Sequence, residues 1–165
     1  MAEDAYYIYH NDRFWGTLYD VGLTDEQIAP AEYRRLGDEY GIYLTEVVDP
    51  ADYRVGKDSE IEPQQVREGL ATLEARIDTH EPTRLAFVGK NAATWFYRHL
   101  QDKEITHSQA SGHKNDRRNL EGPELGFDHK GVDYFLLSNT HRHWDQDMWE
   151  SFWKRCRADL AAFRE

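Results

Sequence analysis

The segment Ser138-Asn139-Thr140-His141-Arg142-His143-Trp144-Asp145 packs an amide, two imidazoles, a guanidinium and an indole into a few consecutive residues. An asparagine amide both donates and accepts, which suits the edge of a nucleobase. A guanidinium suits a phosphate, and an indole suits stacking on a base or wedging beside one. An imidazole acts as an electrophile or acid near neutral pH. His141 is therefore a candidate catalytic group, Asn139 a candidate for base recognition, and Arg142, His143 and Trp144 candidates for contact with a phosphate or a base. The plainer alternative is a helix cap at Thr140 or Asp145 with solvated histidines.

A second cluster of polar groups follows Leu85-Ala86-Phe87-Val88-Gly89. An uncharged run that enters a glycine and then a helix-forming segment reads as a buried strand with a tight turn at its carboxyl end. Lys90 and Asn91 occupy that turn and are candidate ligand-binding residues, because open α/β sheets bind ligands outside the carboxyl ends of their strands. Metal chemistry is an alternative for the histidines, through His141-x-His143 with an acid, or through His107, His113 and His129. No helical histidine pair, CxxC or glycine-rich phosphate loop of Walker or Rossmann type accompanies them. Tyr6, Tyr7, Ile8, Tyr9 and Trp15 form an aromatic cluster that serves either the core or a stacking platform.

These residues need elements to hold them. Asn11-Asp12 can cap a helix over roughly 12–22, ended by Gly22, with Phe14, Trp15, Leu18, Tyr19 and Val21 on or near one face. Thr24 stands three before Gln27 and reads as a second helix start. A short helix near 30–36 opens on Pro30. Gly41 to Asp49 reads as a strand or extended segment closed by Asp49-Pro50. Residues 50–62 read as a surface loop. Pro63 opens a helix to about Thr79, with Val66, Leu70, Leu73 and Ile77 at helical spacing. A strand over 84–89, a helix over about 91–99, a long polar loop over 101–130 and a strand over 132–138 follow. The last element is a helix from Asp145 to about Phe163, with Met148, Trp149, Phe152, Trp153, Cys156 and Leu160 inward. Alternating strands and helices predict an α/β fold with a parallel sheet. In such a sheet the turns after 88 and after 137 share one edge.

The length, 165 residues, suits a single domain spanning 1–165. No apolar run approaches membrane-spanning length, and the basic start of a signal peptide is missing. The lone Cys156 has no internal disulfide partner, so a reducing cytoplasm is the expected compartment, and its neighbours supply no His–acid pair to activate it. The net charge of −11 repels nucleic acid unless basic residues gather on one face. Lys114, Arg117 and Arg118 in the long loop either track phosphates or are simply solvated.

Read in order, these blocks resemble the mismatch-specific uracil/thymine branch of the uracil-DNA glycosylase superfamily. Asp12-Arg13-Phe14-Trp15 followed by Leu18-Tyr19-Asp20-Val21-Gly22-Leu23-Thr24 is similar to that family's N-R-F-W helix and the turn ending it. Gly41-Ile42 with Leu44-Thr45-Glu46-Val47-Val48-Asp49 is similar to its G-I/V-x-x-T-x-L-V segment. The 63–79 helix, the 85–90 strand and turn, and Tyr134 to Asn139 follow in the family's order. The likeness covers most of residues 7–163.

The resemblance implies a three-layer α/β/α domain with a short, mainly parallel central sheet. It also implies a base flipped into a pocket, hydrolysis of a glycosidic bond, and no metal or other cofactor. It puts the base-stacking aromatic at Tyr7 and the second-motif asparagine at Asn139. Two departures stand against it. The family's G-x-N-P-G motif and its strand belong ahead of residue 5 and do not occur, so the water-orienting asparagine is missing. The family's N-P-S-G-L-S reads Asn139-Thr140-His141-Arg142-His143-Trp144.

The absent strand leaves a gap between the segments near 42–48 and 84–89. Three fillings are expected: closure of the gap, insertion of Ala5–His10, or a homodimer or protein partner. Three functions follow from the resemblance. One is a diverged protein that binds a nucleobase or nucleotide, free or in DNA. Another is an active glycosylase with relocated groups, His141 as electrophile and Asp12 or Asp145 orienting water. The third is a protein–protein adaptor on the old scaffold.

Overall fold

The computed structural model describes residues 13–48, 61–100, 131–137 and 145–163. They fall into two compact units, one drawn from residues 1–45 with 138–165 and the other from 46–137.

The first unit is helical where it is described. Helix α1 spans Phe14–Asp20, α2 spans Arg34–Tyr40 and α5 spans Gln146–Phe163. Phe14, Trp15 and Leu18 on α1 are buried, as their spacing predicts, together with Thr17. Trp149, Phe152 and Trp153 on α5 are buried as well, while Met148 and Cys156 are half-buried. The two helices meet through rings: Phe14 stands edge-on to Trp149, with centroids 5.9 Å apart and planes at 89°. Edge-to-face rings of this kind place a positive rim against a negative face. Asp145 caps α5, its Oδ1 accepting the Met148 N–H at 3.0 Å.

Four expectations change in this unit. Arg13 holds the N-cap of α1, in place of Asn11 or Asp12, and makes no side-chain cap bond. Tyr19 faces outward, 49% exposed, at the margin of the buried face and one turn beyond the buried Trp15. No helix begins at Thr24. Gly22, at φ +72°, turns the chain sharply, and the Leu23 and Thr24 N–H groups both donate back to the Leu18 carbonyl. Leu23, Thr24 and Ile28 are then drawn into the interior, so Thr24 packs where a cap would stay at the surface. Lastly, the expected 30–36 helix divides into a 3-10 turn over Pro30–Glu32 and α2, which Gly41 ends in the left-handed region at φ +67°.

The second unit carries the sheet. Helix α3 spans Pro63–His80, strand β1 Arg84–Val88, helix α4 Lys90–Leu100 and strand β2 Asp133–Leu137. Pro63 sits in the first turn of α3, and a reciprocal capping box joins Glu62 and Gln65. Its stripe of Val66, Leu70, Leu73 and Ile77 is buried throughout, as periodicity predicts. Strands β1 and β2 pair in parallel from Arg84↔Asp133 to Val88↔Leu137. Tyr134, Phe135, Leu136 and Leu137 are all buried, so β2 is covered on both faces. Phe96 of α4 lies against the sheet, 5.6 Å from the Tyr134 ring and 5.3 Å from Phe87. His99 of α4 meets Glu74 of α3 at 2.8 Å.

The segment 41–48 belongs to no strand pair among the described residues. Its end lies on α3, where the Val47 carbonyl approaches Gly69 so closely that a Cβ there would come within 1.8 Å of the oxygen. The protein is thus a small α/β fold with two parallel strands and five α-helices among the described residues. None of these helices is long and apolar enough to cross a membrane.

Candidate functional site

The expected shared edge of the two strands is present. Strands β1 and β2 run parallel in unbroken register, so Val88 and Leu137 end them side by side. Gly89 then turns the chain at φ +87°, and its N–H donates to the Leu137 carbonyl at 2.9 Å. That bond ties the carboxyl ends of both strands to one turn. The left-handed φ is a conformation that side chains with a Cβ adopt only at a cost. Among the described residues no atom lies within 4 Å of a Cβ built at residue 89, so the left-handed φ is the observed reason for a glycine here.

Helix α4 starts immediately after this turn, at Lys90, and no acidic residue occupies its first turn. The first N–H groups of a helix have no intrahelical acceptor and carry the positive end of its dipole. At the strand ends they are therefore suited to carbonyl oxygens or an anion. Asn91, the second residue of α4, is half-buried at this edge. Its amide offers both donor and acceptor character, which the hydrogen-bonding edge of a pyrimidine requires.

Sequence reading did not single out the continuation of this feature. Asn91, Thr94 and Arg98 follow at helical spacings of three and four and so share a face of α4. Thr94 is 1% and Arg98 8% exposed, and each of the three residues makes an interaction. A polar stripe therefore leads from the turn along a buried helix. The signal was present as Asn-x-x-Thr-x-x-x-Arg, but a threonine and an arginine on a short helix read first as surface residues.

Lys90 and Asn91, expected in the turn, are the first two residues of α4, directly after Gly89. Tyr7, Asp12, Asn139, His141, Arg142, His143 and Trp144 lie outside the described residues, as do the histidines at 107, 113 and 129 and the basic loop around Lys114. Asp145, weighed both as a cap and as a water-orienting acid, is exposed and engaged as the α5 cap. Among the described residues no group of three or more His, Cys, Asp or Glu side chains is placed to hold a metal ion.

Ion pairs are found away from this edge. The Arg35 guanidinium on α2 bonds Glu39 at 2.6 and 2.9 Å and also reaches Glu26. The hydrogen bond to Glu39, then that to Glu26, raises the already high pKa of Arg35, and the same bond holds the Glu39 carboxyl below its ordinary range. On α5 the Glu150 carboxyl is lowered, first by its bond from Gln146 and then by Lys154. These are exposed pairs that tie local turns together. No family model matches the chain.

Proposed function

We propose that this chain is a diverged uracil-DNA glycosylase-like protein that recognises a nucleobase or nucleotide at the carboxyl ends of β1 and β2. The observation that carries the reading is the Gly89 turn. It brings a helix start and the Asn91 amide to the edge where parallel α/β sheets bind ligands. The resemblance of the ordered sequence blocks supports this reading, and on it the domain is a three-layer α/β/α arrangement with Tyr7 as stacking ring and Asn139 as second-motif amide. The bulky residues at 140–144, where the family's second motif has Pro, Ser and Gly, favour recognition over the family's usual hydrolysis. The net charge of −11 weighs against long tracts of phosphate contact and favours a small ligand or a short stretch of nucleic acid.

The test combines binding and cleavage. Binding of uracil, thymine and their nucleotides is followed by calorimetry. Binding of single- and double-stranded oligonucleotides containing uracil or a thymine mismatch is followed by fluorescence anisotropy. Abasic-site formation is read on the same oligonucleotides by alkaline strand cleavage. Binding without abasic sites, weakened about tenfold by Asn91→Ala and by Tyr7→Ala, is the expected result. A tenfold loss corresponds to roughly 1.4 kcal/mol, within the range of one well-placed base contact. Abasic sites that disappear in His141→Ala or Asn139→Ala would replace this reading with an active glycosylase. No binding to any of these probes, together with a stable complex to another protein, would replace it with an adaptor.

A further inference from the structure

We draw no further inference here: the strongest candidate, the surface patch on α2 where the 73% exposed Tyr43 ring rests on Gly37 and Arg34 lies over the Tyr33 ring, carries nothing, because nothing in the structure shows what covers it and its mixture of Arg34 with Asp38 and Glu39 selects no one partner chemistry.

Discussion

Gly69→Ala is expected to destabilise the protein, although alanine is the better helix former. In an open helix the replacement stabilises by about 1 kcal/mol, because glycine loses more backbone entropy on folding. Gly69 lies inside α3, and a Cβ built there falls 1.8 Å from the Val47 carbonyl oxygen and 2.9 Å from its carbon. Real Cβ contacts essentially never fall below 3.0 Å, so the 47–48 segment or the helix must move by more than 1 Å. Both groups are backbone, which leaves no flexible side chain to absorb the shift. Overpacking of this kind costs roughly 1–3 kcal/mol and outweighs the propensity gain, for a net loss of about 1–2 kcal/mol. The assay is urea denaturation followed by far-UV circular dichroism, with Gly16→Ala as its control. Gly16 lies inside α1, where a Cβ would meet no atom of the described residues within 4 Å, so that variant is expected to gain up to about 1 kcal/mol. If Gly69→Ala stabilises as much as Gly16→Ala does, the packing of residues 47–48 on α3 is wrong.

The other predictions use the same measurement. Gly89→Ala puts a side chain on a residue at φ +87° and is expected to cost about 1–2 kcal/mol. Unchanged stability would mean that the turn joining the strand ends is not left-handed. Asp145→Ala removes the cap of α5 and is expected to cost about 1 kcal/mol, with Asp145→Asn recovering most of it. Equal losses in both variants would point to charge instead of capping. The bond to Arg35 lowers the Glu39 pKa, so folding gains from the ionised carboxylate above its unfolded value and loses that gain as pH falls through the folded value. Glu39→Gln is therefore expected to flatten the loss of stability between about pH 5 and about pH 3. An unchanged acid limb in denaturation curves taken across that window would show that the exposed pair has no such effect.

Much of the secondary structure was legible because its signals are local. The α3 stripe of Val66, Leu70, Leu73 and Ile77 repeats at the helical period, Pro63 marks its start, and every member is buried. The two apolar runs ending at Val88 and Leu137 were readable as parallel strands, but only β2 is buried as a doubly covered strand should be; in β1 Phe87 is buried and Arg84, Leu85, Ala86 and Val88 are half-buried. The candidate edge followed from the same reading, because parallel pairing brings both carboxyl ends to one side. The buried polar stripe of Asn91, Thr94 and Arg98 was not legible. Its burial depends on what packs around α4, and residue type alone argues for the surface.

Local pattern by itself determined the starts of α3, β1 and β2, the apolar stripe of α3, and the tight glycine turn after β1. Tertiary structure alone decided the rest. Thr24 resembles a cap, yet it is buried, because the turn at Gly22 sends Leu23 and Ile28 into the interior with it. Residues 41–48 have the composition of a strand, yet they end against α3, because Gly69 presents bare backbone to the Val47 carbonyl. Hydrophobic period and turn residues act over a few neighbours, whereas a close approach between chain segments twenty residues apart depends on the shapes of both.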